Sequence, residues 1–193
     1  MRLYWPKELR PAFDALFAID DAMGDVVTQS TQPALGAIKL AWWRERLEEL
    51  DDGQVPAEPR LQAAAAELLS RGIRGQELAA LEDGWLALLE EHPDQERALN
   101  RGATLFALAA RLLAAHESEP LKMAGRLYAA GNIRRRGVTE MKADILVPAR
   151  LPAAVRRVTG LAALAKRDLL RREAEATPGR AWTLLRHRLT GRI

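Results

Sequence analysis

Three features of the sequence predict an all-α fold. Ala and Leu abound while aromatics make up only 5% of the 193 residues, a balance that favours helix over sheet. Apolar residues recur at three- and four-residue spacing through almost every segment. Pro and Gly fall mainly where those periodic segments start or stop. The length suits one domain with a real core. The expectation is a single domain over residues 1–193, a helical bundle of about eight helices.

The first helix is predicted from Glu8 to Thr28. Pro11 lies in its first turn, where a missing amide costs nothing. Phe13, Leu16, Phe17, Asp20, Asp21 and Met23 fall broadly on one side. The second starts near Pro33, carries Leu35, Ile38, Trp42 and Leu47, and stops at Asp51-Asp52-Gly53, where Gly suits a helix end. Val55-Pro56-Ala57-Glu58-Pro59 reads as a loop. Helices are predicted over 60–71, 75–91, 94–116 and 119–135. His92-Pro93-Asp94 separates two of them, with Asp94 placed to cap the second. The pattern lapses between Arg136 and Pro152. Asp144-Ile145-Leu146-Val147-Pro148 has an extended character, and its Pro argues against a central strand. A helix from Pro152 to Glu175, a turn at Pro178-Gly179 and a short helix to Arg188 complete the chain.

Composition narrows the function. With no cysteine, disulfides, thiolate metal sites and a Cys nucleophile are excluded. No apolar run approaches the roughly 20 residues of a membrane span. Met1-Arg2-Leu3-Tyr4-Trp5-Pro6 lacks the apolar core of a signal peptide. The expectation is a cytoplasmic protein, with a membrane-peripheral contact as its extension. The net charge of +3 conceals an asymmetry: residues 1–118 hold 12 Lys/Arg against 20 Asp/Glu, and residues 119–193 hold 17 against 6. The basic half suits phosphates, lipid head groups or an acidic protein partner, or simply solvates helix faces. Its only aromatics are Tyr128 and Trp182, so nucleic acid is not an expected partner. His92, His116 and His187 have no metal-motif spacing, and no phosphate-loop, dinucleotide or nucleophile-elbow motif occurs.

The candidate chemistry begins with Asp20, Asp21 and Asp25, set in an apolar helical pattern where buried charge is costly. Asp21 and Asp25 are four apart and share a helix face. Facing inward, they could hold Mg²⁺, a hard ion that takes oxygen ligands and bridges to phosphates. On a helix rolled slightly outward, all three carboxylates are simply wet. Trp42 and Trp43 point about 100° apart, so one is expected in the core and the other at an interface. Arg134-Arg135-Arg136 precedes Gly137. It is either a helix end meeting the dipole and solvent or an anion site.

The stretch Asp21-Ala22-Met23-Gly24-Asp25, followed by Pro33-x-Leu35-Gly36-x-Ile38-Lys39-Leu40-x-Trp42-Trp43-Arg44, resembles the first signature region of the squalene/phytoene synthase family. It is most similar to the family's divergent short branch, which also holds a mitochondrial complex I assembly factor. Leu81-Glu82-Asp83-Gly84-Trp85 and Ile145-Leu146-Val147-Pro148-Ala149-Arg150-Leu151 are weaker similarities. The resemblance implies an all-α isoprenoid-synthase fold, with two Asp-rich helices binding Mg²⁺ across a cavity that takes prenyl diphosphates. In it, Asp21 and Asp25 are the implied metal ligands, while Phe17, Asp20, Trp42 and Trp43 lie toward the cavity or an interface.

The family's second Asp-rich motif has no counterpart here. Counting back from Pro148 places Arg135 and Thr139 at its two Asp positions, and sliding by one gives Arg136 and Glu140. An Arg repels a metal ion and instead binds phosphate directly. The resemblance and this departure together imply a pseudoenzyme: a helper that binds a prenyl diphosphate or lipid, in membrane-complex assembly. The alternative is an active Mg²⁺-dependent prenyltransferase of isoprenoid biosynthesis.

Overall fold

The computed structural model describes residues 4–140, 150–171 and 177–193. Among them the fold is all-α, as expected. The described residues form nine helices: α1 (Arg10–Gln29), α2 (Pro33–Glu48), α3 (Pro59–Glu67), α4 (Gly75–Ala79), α5 (Leu81–Leu86), α6 (Gln95–Leu112), α7 (Glu119–Arg135), α8 (Arg156–Leu170) and α9 (Pro178–Thr190). The one β contact among the described residues is an isolated bridge, Arg150 to Arg192. The stretch expected to be extended at Asp144–Pro148 lies outside the described residues, as do positions 145–149 of the third similarity.

Local chemistry sets most boundaries. Pro stands at the first or second position of α1, α2, α3, α7 and α9, where its fixed φ favours a helix. The Asp94 carboxylate accepts from the Glu96 and Arg97 amides at 2.9 and 3.1 Å and caps α6 as expected. Gly53 follows α2 and its terminal 3₁₀ turn at φ +78°, the left-handed position that ends helices.

Several helices are shorter than the periodicity suggests; the one expected over 60–71 ends at Glu67, and the one expected from Pro152 runs from Arg156 to Leu170. The helix expected over 75–91 is two short ones, α4 and α5. The first is set by tertiary contact: the Gly75 and Gln76 amides donate to the Asp51 carboxylate at 2.6 and 2.9 Å. After α5 the Leu88 and Leu89 amides bond back only three residues, to Trp85 and Leu86, and the helix tightens to its end. The helix expected to reach 116 stops at Leu112, because Ala114 turns left-handed at φ 51° and the Ala115 amide returns to the Ala110 carbonyl.

Backbone contacts divide the chain into two compact units, Arg2–Arg101 and Gly102–Ile193, and the division falls inside α6. In the first, α1 packs on α2, α3 and α5, and α2 on α4 and α5. Phe13, Leu16, Ile19, Met23, Leu40, Leu47, Leu61 and Trp85 are sealed in this core. Trp5 covers one end, stacked on Phe13 and Phe17 at 4.9 and 5.5 Å between centroids. In the second unit α8 packs on α7 and α9, around Phe106, Ile133, Val158 and Ala162. Gly131 permits the close α7–α8 approach: a Cβ there would lie 2.6 Å from that of Ala165.

Candidate functional site

The first Asp motif lies on α1, and the helix decides which carboxylate turns inward. Phe13, Leu16, Phe17, Asp20 and Met23 are all buried and form one stripe at three- and four-residue spacing. Asp20 is in register with that stripe and is fully buried. Asp21, one residue on, is exposed, and Asp25 is half-buried. Asp20, rather than Asp21 or Asp25, is therefore the carboxylate that enters the core.

Asp20 is held by groups far along the chain. Its Oδ1 accepts from Trp85 Nε1 at 3.0 Å and from Arg101 Nη1. The Arg101 guanidinium also lies over the Trp85 ring, 3.9 Å from its centroid, a cation–π contact. Aspartate, arginine and indole thus form one sealed cluster in which charge is balanced. A buried carboxylate and guanidinium persist only when paired in this way. Asp20 Oδ2 has no hydrogen-bonding partner among the described residues.

Of the tryptophan pair, Trp43 is buried and Trp42 is 42% exposed, the division that adjacent helical positions predict. The rings meet edge to face at 5.2 Å. Trp42 continues an exposed stripe with Leu35 and Ile38 along α2. Glu82, in α5, is buried, and burial pushes its carboxyl above the ordinary range, with the positive charge of Arg44 acting in the opposite direction.

In the second unit the Arg run sits at the C-terminal end of α7, and the helix separates its members. Arg134 Nη1 donates to the Leu169 carbonyl at 2.7 Å, with its Nε 3.5 Å from Glu140. Arg135 Nη2 donates to Asp168 Oδ2 at 2.7 Å. Arg136 follows as the helix C-cap, half-buried. Arg134 and Arg135 occupy the last turn, where cations complement the helix dipole. Arg134 and Arg135 thus meet different groups.

Asp168 is the centre of the arrangement that does form. Its Oδ1 pairs with Arg180 of α9 while Oδ2 takes Arg135 of α7. These three residues line a cavity of about 170 Å³, closed by Tyr128, Asn132 and Leu161 among others. Among the described residues, two guanidiniums share this one carboxylate. Arginine forks of this kind recognise carboxylate and phosphate oxygens.

Among the described residues, no three carboxylate or imidazole groups gather closely enough to hold a metal ion. Asp20 and Asp168 are both committed to arginine. The described residues do not assemble the carboxylate set that a Mg²⁺–diphosphate cluster needs. No helix among them is long and apolar enough to cross a membrane.

Sequence reading missed Arg101, Trp85, Asp168 and Arg180. Arg101 could have been found: it falls three residues after Ala98 and four before Leu105, both core positions, so its charge interrupts an inward face. Asp168 likewise falls four residues after Leu164 and three after Ala165, both core positions. The chain matches no protein-family model, no characterised protein and no solved structure.

Proposed function

We propose that this chain is a squalene/phytoene synthase-like pseudoenzyme that binds a prenyl diphosphate or another phosphate-bearing lipid and serves as a helper in membrane-complex assembly. The observation that supports this reading best is the sharing of Asp168 by Arg135 and Arg180 at a half-open cavity. A diphosphate carries more charge than one carboxylate and competes with Asp168 for the same forks. Apolar lining at Leu161 and Leu164 gives the first part of a prenyl chain somewhere to lie. In the first unit, Asp20 beside the motif is committed to Arg101 and Trp85, and no metal-holding cluster forms among the described residues.

Thermal unfolding with farnesyl diphosphate and Mg²⁺, each alone and together, tests the reading. The expected result is a rise in Tm with the diphosphate alone, reduced in Arg135→Ala. Ligand at about 100 times its Kd would stabilise by about 2.7 kcal/mol. A shift that needs both ligands would favour the active prenyltransferase, with Asp21 and Asp25 as Mg²⁺ ligands. Steady formation of a condensed product would overturn the proposal outright, and so would the absence of any shift.

A further inference from the structure

The cavity's second arginine, Arg180, is carried by a helix with a slender hold on its unit. His187 is the one buried residue of α9. Arg180 stands seven positions earlier, so the two side chains leave the helix within roughly 20° of each other, two turns apart. Both meet α8, on which α9 packs. His187 Nε2 lies 2.9 Å from Thr159 Oγ1 near the start of α8, and Arg180 pairs with Asp168 near its end. The two helices run antiparallel, with one polar tether toward each end.

Beyond His187 the chain is pinned. Arg156 Nη1 donates to the Leu189 carbonyl at 3.1 Å, and Arg150 Nε to the Thr190 carbonyl at 2.9 Å. The Leu151 amide donates to the Gly191 carbonyl at 2.9 Å. Gly191 turns left-handed at φ +73°, and a Cβ there would lie 2.5 Å from the Leu151 carbonyl oxygen. This end is a pivot. At ~1.5 Å per residue, His187 lies about 6 Å and Arg180 about 16 Å from it along the helix. A shift at His187 is magnified about threefold at Arg180 by the same geometry.

Hydrogen bonds set the resting state of His187. The Arg192 carbonyl, 2.9 Å from Nδ1, accepts, so Nδ1 carries a proton. In the neutral ring Nε2 then accepts from the Thr159 hydroxyl. In the charged ring Nε2 donates, and the hydroxyl can turn its own proton to the Val155 carbonyl at 3.1 Å. Hydrogen bonding survives protonation; charge balance does not. Burial disfavours a charge on His187 and Arg156 repels it, together outweighing the support of the Arg192 carbonyl. Arg150 and Lys166, which bond to the Thr190 and Ile193 carbonyls, are cations as well. Residues 177–193 hold no Asp or Glu, and Asp168, the one acid of α8, is held by Arg135 and Arg180. A buried imidazolium without a counter-charge is costly, and its ring gains by moving into water.

We infer that α9 is a pH-sensitive clamp on the cavity: protonation of His187 expels its ring, swings α9 about Gly191 and draws Arg180 away from Asp168, so the cavity releases its anion as pH falls. Its action on a ligand rests on the reading of that cavity as an anion site. A histidine ring in water titrates near 6.5, so release sets in below that pH.

Calorimetric titration of inorganic diphosphate into the full chain at about pH 7.5 and about pH 5.5 tests the clamp, with His187→Gln alongside. Protonation of diphosphate weakens binding equally in both proteins, so the comparison isolates the histidine. The wild type is expected to lose about fivefold more affinity than His187→Gln across this range. A second measurement needs no ligand: the NMR titration of His187 in Asp168→Asn. Loss of a negative charge alone would lower the His187 midpoint, whereas loosening α9 raises it toward the ordinary value. A raised midpoint is expected, and because this variant keeps the native histidine it decides the matter if His187→Gln does not fold. A raised midpoint without diphosphate binding at either pH would overturn the anion-site reading and support the coupling of His187 to Arg180. Equal pH dependence in the wild type and His187→Gln overturns the clamp, as does a midpoint that stays or falls in Asp168→Asn.

Discussion

Asp20 and Asp168 are both aspartates held by arginine, one in each unit, and they differ in everything that decides what an ion pair does. Asp20 and Arg101 have no exposed side-chain surface, and an indole N–H completes the cluster. Asp168 and Arg180 retain 13% each and Arg135 31%, beside a cavity. The first site is sealed with one cation per anion. The second is partly open and sets two arginines on one carboxylate. A sealed, balanced pair cannot exchange partners without leaving a buried charge unpaired, so it specifies a core. A partly exposed pair stays within reach of water, which lowers the cost of changing partners.

The largest expected effect breaks the sealed pair. Asp20→Asn leaves the Arg101 guanidinium buried without its counter-charge and should cost about 3–5 kcal/mol in urea unfolding. Replacing both partners, as Asp20→Leu/Arg101→Met, should recover most of that loss, since an apolar pair of similar volume carries no desolvation penalty. If Asp20→Asn costs less than about 1 kcal/mol, water reaches the cluster and the contrast with Asp168 disappears.

The corresponding change in the open pair should be mild for stability and favourable for binding. Asp168→Asn is expected to cost about 1 kcal/mol, because solvent screens the arginines it leaves behind. It should also raise the affinity for inorganic diphosphate in titration calorimetry, because the competing carboxylate charge has gone. A fall in that affinity would mean that Asp168 positions the arginines more than it competes with the ligand.

Why the sequence revealed the fold and only half of this comparison is a matter of range. Helix signals are local: Pro at first turns, Asp94 two and three residues before the amides it caps, Gly53 beyond α2. Adjacent positions diverge on any helix, which separated Trp42 from Trp43. The partners of Asp20 lie 65 and 81 residues away, and no periodicity connects them. The Arg134–Arg136 run looked like one site because it is contiguous in sequence. The helix gives Arg134 to a backbone carbonyl and Arg135 to an aspartate 33 residues on. The break between α4 and α5 was equally hidden, since Asp51 begins α4 from 24 residues away.

Two buried titratable groups carry the same contrast into pH, with opposite signs. Burial in the C-terminal unit pushes His187 below the ordinary histidine value, an effect its bond to the Arg192 carbonyl opposes and the nearby Arg156 reinforces. The folded unit therefore resists protonation. The stability contribution of His187 is intact above pH 6.5 and is lost as pH falls below it, because there the unfolded chain binds more protons. Hydrogen exchange in α8 and α9 should accelerate as pH falls from neutrality to about 5, after correction for intrinsic exchange. His187→Gln, which cannot take the proton, should flatten that dependence while lowering stability overall.

The smallest effect belongs to Glu82 in the first unit, where burial raises the carboxyl pKa. A raised folded value means that the favourable contribution is complete below the ordinary carboxylate value of 4.5. It is lost as pH rises through the folded value. At neutral pH Glu82 is thus a net cost to its unit, moderated by the charge of Arg44. Glu82→Gln should therefore raise stability at pH 7 by roughly a few tenths of a kcal/mol, and the gain should vanish near pH 4. A loss at pH 7 instead would show that attraction to Arg44 outweighs burial, making Glu82 a second charge-balanced carboxylate like Asp20.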